Sequence, residues 1–93
     1  MNSIHLPDFS NKVVYVQQIQ RDHGVALENP SFEIHDERLF LVGTIPEGGS
    51  AKDWLAGLVS YIAWEYIQEI VVFDSTEDYI NRLSRGWIDE RLQ

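Results

Sequence analysis

The chain has 93 residues, of which 44% are hydrophobic and none is cysteine, and its formal net charge is −8. This composition is sufficient for one folded domain over residues 1–93, and it excludes disulfide bonds and thiolate chemistry. The seven bases are scattered along the sequence, which argues against binding to nucleic acid or to an anionic membrane.

Residues 1–12 are expected to form a loose lead-in, because they contain Pro7 and show no hydrophobic periodicity. They lack the basic and apolar regions of a signal peptide, and no apolar run in the chain is long enough for a membrane span. Together with the lack of cysteine, these features favour a cytoplasmic location.

Two β-rich segments follow. KVVYVQQIQ (12–20) predicts a strand, and RDHG (21–24) predicts a turn. SFEIHDERLFLVGTI (31–45) predicts a hairpin; with a loop at 36–37, four apolar side chains share one core face: Phe32, Ile34, Leu39 and Leu41. Ile34 then faces Leu39. Asp-Glu is not a preferred two-residue turn, which leaves a longer loop open.

The segment after PEGGS (46–50) has two interpretations. Ser50 followed by Asp53 resembles a capping box, which favours a short helix over about 51–56. Strands near 59–64 and 67–73 would follow, because β-branched and aromatic residues are concentrated there. In the alternative, residues 51–69 form a single helix, since apolar residues also recur there at helical spacing.

DSTEDYINRLSRGWIDERLQ (74–93) predicts a C-terminal helix that begins after Ser75. Its buried stripe would contain Ile80, Leu83 and Trp87, with Tyr79 beside them. The predicted fold class is therefore α+β: a small, strongly bent antiparallel β-sheet or an SH3-like barrel with a C-terminal α-helix. The alternative is an open antiparallel sheet with two helices on one face.

No segment carries a catalytic, cofactor or metal motif. The acidic pairs at 36–37, 77–78 and 89–90 are adjacent in sequence, so they do not form the separated carboxyl pair that acid–base catalysis needs. His35, Asp36 and Glu37 are typical of a polar turn, and His23 has no second histidine at ligand spacing. The sequence therefore predicts no catalytic residue, no metal and no cofactor.

The stretch EGGSAKDW (47–54) resembles a phosphate-binding loop only superficially. It lacks the P-loop spacing, and Glu47 and Asp53 would repel a phosphate. Its notable residue is Trp54, which is either a lid folded over an open barrel end or an anchor for a partner. The predicted partner-binding residues are therefore Trp54, Asp53 and Glu47.

Two functions from different classes fit these observations. The first is a small acidic, non-catalytic protein-interaction module of the adaptor, inhibitor, immunity or regulatory-subunit type, with a basic protein as its partner. The alternative is a ligand-binding or enzymatic domain with a pocket under residues 46–57 and polar groups from His35, Tyr61 and Tyr66. The lack of catalytic motifs favours the non-enzymatic function, and homodimerisation is left open.

Overall fold

The computed structural model describes residues 6–92, and their side chains up to residue 84. Its elements in chain order are β1 (Val13–Gln18), β2 (Val25–His35), β3 (Arg38–Thr44), β4 (Val59–Ala63), β5 (Ile67–Phe73) and α1 (Thr76–Leu92). Short 3₁₀ helices at Asp53–Leu55 and Trp64–Tyr66 come before β4 and β5.

The strands form one antiparallel sheet in the order β4-β3-β2-β1-β5. The sheet is not closed, because β4 and β5 lie at its two edges and do not pair with each other. The predicted small antiparallel sheet with a C-terminal helix is confirmed, whereas the SH3-like barrel is not formed because the sheet stays open. The single helix over 51–69 is wrong, because Gly57 at a φ of 87° and the β-branched residues after it favour a turn followed by strands.

The predicted hairpin has the predicted register. Phe32 lies opposite Leu41 and Ile34 opposite Leu39, and the loop contains only residues 36–37. The prediction that all four apolar residues face the core is wrong for Ile34, whose side chain is 71% exposed. Ile34 lies near the tip of the hairpin and belongs to neither buried cluster of the described residues.

A bulge in β2 bends the sheet. Residues 25–28 of β2 pair with β1, residues 28–35 pair with β3, and the register shifts between Glu28 and Ser31. Gly43 on β3 crosses this bend so closely that a Cβ atom there would lie 2.8 Å from Cβ of Leu27. Because Gly43 has no side chain, β3 can approach β2 closely at the bulge, and β2 pairs with both β1 and β3.

The main core contains seven buried residues: Phe9, Val14, Val16, Leu27, Leu41, Ile45 and Ile62. Phe9 comes from the segment that was expected to be a loose lead-in. The backbone N–H of Lys12 donates to the Phe9 carbonyl at 3.0 Å, and the N–H of Asn11 donates to Oδ1 of Asn29 at 2.9 Å. The hydrogen bond to Asn29 attaches this segment to β2, and the Phe9 ring adds apolar area to the main core.

The helix α1 contacts the sheet through its first turn. Ser75 Oγ accepts a hydrogen bond from the N–H of Asp78 at 3.0 Å, as expected for an N-cap. Tyr79 is buried, whereas Ile80 and Leu83 are about half exposed. The predicted stripe is therefore wrong at Ile80 and Leu83, and the Trp87 side chain lies outside the described residues. Within the described part of the chain, no helix has the length and apolarity needed to span a membrane.

Candidate functional site

The connection between β3 and β4, residues 46–57, is an anchored loop. Gly48 has a φ of 73°, which lets the chain reverse, and the carbonyl of Gly49 accepts a 2.7 Å hydrogen bond from Ala26 of β2. At the base of the loop, the N–H of Gly57 donates to the Ile45 carbonyl at 2.7 Å, and the N–H of Ile45 donates to the Leu58 carbonyl at 2.9 Å. These bonds hold both ends of the loop on the sheet.

Trp54 lies in the 3₁₀ helix at Asp53–Leu55, and its side chain is 71% exposed. The adjacent residue, Leu55, is the one that packs against the main core. The lid interpretation of Trp54 is therefore wrong, because Leu55 covers that end of the core and the turn directs Trp54 away from it. A large exposed aromatic side chain on an attached loop is typical of an anchor for a partner.

The other two predicted partner-binding residues lie together. Glu47 and Asp53 line one open depression of about 290 Å³, with Gly48 and Ala56 between them. Asp53 precedes Trp54 in the same 3₁₀ helix. The loop therefore presents two carboxylates and an indole within one short segment.

The sheet edge that follows the loop is apolar. β4 (Val59–Ala63) contains no charged residue, and in the described structure it pairs only with β3. Leu58, Val59 and Tyr61 are each at least half exposed. Sequence reasoning had assigned the strand but not its edge position. The lack of any charge in residues 58–64 gave no sign of it, because edge strands usually carry charged residues.

Aromatic side chains extend this surface across the outer face of the sheet. The ring of Tyr61 lies 5.6 Å from His35 and 6.4 Å from Phe40, measured between centroids. His35 Nε2 lies 2.9 Å from Glu33 Oε1. His35 and Tyr61 therefore lie together, but on the outer face rather than in a pocket under the 46–57 loop.

A cleft of about 470 Å³ does lie beside the 46–57 loop, between it and the β1–β2 turn. His35, Tyr61 and Tyr66, which the alternative function placed in such a pocket, do not line it. Its polar lining comes from other residues, His23 and Lys52 among them.

The perturbed titrating groups lie outside the loop and have structural causes. Hydrogen bonds from the hydroxyl and backbone N–H of Ser10, at 2.6 and 2.9 Å, lower the pKa of Asp8. Burial raises the pKa of Tyr79, with a smaller contribution from Tyr15. Among the described residues, no three His, Cys, Asp or Glu side chains converge as metal ligands.

Comparisons with protein-family models, with curated proteins and with solved structures find no match for this chain.

Proposed function

We propose that the chain is a non-catalytic protein-interaction module that binds an extended, basic segment of a partner protein along β4. The observation that carries this proposal is the 71% exposure of Trp54 on a loop whose two ends are hydrogen-bonded to the sheet. An exposed indole held in place by its backbone loses little conformational freedom on binding. Trp54 is therefore the anchor of the proposed interface.

The edge of β4 supplies the main-chain part of the interface. An edge strand presents unpaired N–H and C=O groups, which an extended peptide satisfies when it adds as a further strand. Val59 and Tyr61 are exposed on alternate positions of β4 and would contact alternate side chains of that peptide. The edge of β4 would thus bind the backbone of the partner peptide, and Val59 and Tyr61 would favour apolar side chains in that peptide.

The negative charge near Trp54 favours a basic partner. Glu47 and Asp53 line their depression without a basic side chain, and the protein as a whole carries a charge of −8. Lysine or arginine in the partner would meet these carboxylates beside Trp54. Such complementarity mainly raises the association rate and disfavours acidic partners.

A library of random displayed peptides tests the proposal directly. We expect selection on the folded protein to enrich peptides that combine Lys or Arg with apolar residues at alternate positions. Titration of a selected peptide should shift the backbone amide resonances of residues 53–54 and 58–63. Enrichment of acidic peptides, or shifts confined to α1 and β5, would contradict the proposal.

The matched control is Ile80→Lys. Ile80 is 51% exposed on α1, away from β4, and it is an exposed apolar residue like Val59. Val59→Lys should weaken binding of the selected basic peptide, because it places a like charge on the edge strand. Ile80→Lys adds the same charge away from β4 and should leave the affinity nearly unchanged.

A further inference from the structure

We infer that the cleft between the β1–β2 turn and the 46–57 loop is a binding site for a small organic anion that carries a carboxylate or phosphate group. This basic cleft has a volume of about 470 Å³, and its polar lining includes Arg21, Asp22, His23, Ser50, Lys52 and Ser60. The volume lies in the range of small-molecule sites in proteins. It is a different surface from the acidic and apolar one proposed to bind a protein.

Among the bases whose side chains the structure describes, the two that form no ion pair line the basic cleft. Side chains are described for five bases, and three of these form ion pairs: Lys12 with Asp74 at 3.7 Å, Arg38 with Glu65 at 2.9 Å, and Arg82 with Asp78 at 2.9 Å.

The other two, Arg21 and Lys52, form no ion pair with any described residue, and both line the basic cleft. The sequence has 15 acids for 7 bases, so two bases of one cleft that form no ion pair make a local positive surface on an acidic protein. An anion from solution would supply the missing counter-charge. Asp22 is the one carboxylate among the described residues of the lining, so the charges of Arg21 and Lys52 together exceed its charge.

Hydroxyl donors accompany these charges. Ser50 Oγ accepts a hydrogen bond from the N–H of Lys52 at 3.2 Å, which leaves its own O–H to donate. Ser60 adds a second hydroxyl from β4, and His23 adds a ring nitrogen. Cationic and hydroxyl donors around one cleft are the groups that bind carboxylate and phosphate oxygens.

The basic cleft also has an apolar part, which adds a second requirement for the ligand. Val25, Ile45 and Leu55 line it, and all three belong to the main core or pack against it. A bare inorganic anion would leave this surface in contact with water. The site therefore fits an anion with a compact apolar body.

The acidic residues of the 46–57 loop do not line the basic cleft. The sequence argument against a phosphate at residues 47–54 rested on repulsion by Glu47 and Asp53. In the folded protein both carboxylates line the separate depression of about 290 Å³, whereas Ser50 and Lys52 line the basic cleft. The two carboxylates would therefore repel an anion at the depression that they line rather than at the basic cleft.

The test uses three probes, namely phenyl phosphate, benzoate and inorganic phosphate, titrated at constant ionic strength while backbone amide resonances are followed. We expect saturable shifts at residues 20–24 and 50–52 with phenyl phosphate or benzoate, and the tighter of the two identifies the anionic group. Inorganic phosphate should bind more weakly than phenyl phosphate. Equal affinities of these two would contradict the role of the apolar lining.

Charge-neutral variants assign the binding to the basic cleft. Arg21→Gln and Lys52→Gln should each weaken binding of the tighter probe by about tenfold, as expected for loss of a charge-assisted hydrogen bond. Both side chains are exposed, so the variants should fold. Lys12→Gln, which removes a base paired with Asp74, is the matched control and should leave the affinity within about twofold. The proposal is overturned if no probe saturates below about 10 mM, or if all three variants weaken binding equally.

Discussion

Tyr79 is the residue that connects α1 to the sheet and to the 46–57 loop. Its side chain is 4% exposed, its ring lies 5.2 Å from that of Phe73 in an edge-on arrangement, and its hydroxyl donates to the Gly48 carbonyl at 3.2 Å. Burial of the hydroxyl disfavours the phenolate and raises the pKa of Tyr79. One side chain thus couples the position of the loop to the helix.

Tyr79→Phe should therefore change the pH dependence of stability. At neutral pH the variant loses the hydrogen bond to Gly48, which should lower the free energy of unfolding by about 1 kcal/mol. Because the pKa of Tyr79 is raised by folding, its stabilising contribution is complete below the ordinary tyrosine pKa of about 10 and is lost as the pH rises through the folded value. The difference between wild type and variant should shrink above about pH 10.

Denaturant unfolding at a series of pH values measures this difference. Tyr66→Phe is the control, because Tyr66 is 54% exposed, and its effect should be small at every pH. A wild-type advantage over Tyr79→Phe that stays constant up to about pH 11 would contradict the assignment.

The candidate residues Trp54, Asp53 and Glu47 were predictable from their types and from the glycines beside them. The direction of Trp54 was not, because it depends on the phase of a single 3₁₀ turn. A shift of one residue in that turn would have buried Trp54 and exposed Leu55. Residue types alone do not determine this phase, since both side chains are large and apolar.

The β2–β3 hairpin carries strain in its turn. Asp36 and Glu37 have φ angles of 51° and 64°, in the left-handed region that favours glycine and asparagine. Two consecutive residues with positive φ correspond to the type I′ hairpin turn, for which Asn-Gly is the preferred sequence. Asp-Glu is therefore poorly suited to the turn that it forms.

Replacing the turn by Asp36→Asn with Glu37→Gly should stabilise the protein. The expected gain in the free energy of unfolding is about 1 kcal/mol, because the glycine removes the steric cost of a side chain at positive φ. Thermal and denaturant unfolding of the double variant measure it, with Asp36→Asn alone as the control of smaller effect. A double variant less stable than wild type would show that the turn residues make contacts that outweigh the strain.

At the level of elements, alternation of apolar residues predicted the hairpin register, because a slip of one residue would expose Phe32 and Leu41. The strands at 59–63 and 67–73 were also predictable from their β-branched content. The exposure of Ile34 was not, since it depends on how far the hairpin extends past the core. Nor was the buried face of α1, because it depends on tertiary contacts of the helix, such as those of Tyr79 with Phe73 and Gly48.

Charge is the property of the whole molecule that bears on its partners. With 15 acids and 7 bases, and with three described bases in ion pairs, the protein offers no extended basic surface among its described residues. The basic cleft contains only two arginine or lysine side chains and accommodates a small anion rather than a phosphate backbone.

We therefore expect no useful affinity for duplex DNA or RNA at physiological salt. A gel-shift titration over a range of salt concentrations checks this expectation. Tight binding that weakens steeply as salt increases would contradict it, because such a slope reports release of counterions from many phosphate contacts.

The 46–57 loop separates two surfaces of opposite character. On one side are Trp54, the carboxylates of Glu47 and Asp53, and the apolar edge of β4; on the other is the basic cleft. The proposed protein interface depends most on Trp54, which contributes exposed area rather than core packing. Substitution of Trp54 is therefore expected to change the affinity for the partner with little change in the free energy of unfolding.

The measurement that tests the proposed interface most directly compares Trp54→Ala with wild type in two assays on the same preparations. The Kd for a library-selected basic peptide should rise by about thirtyfold, equivalent to about 2 kcal/mol, because an anchor residue is lost. The free energy of unfolding should change by no more than about 0.5 kcal/mol, since the side chain is mostly exposed. An unchanged Kd, or a loss of stability of about 3 kcal/mol or more, would contradict the assignment of Trp54 as the anchor.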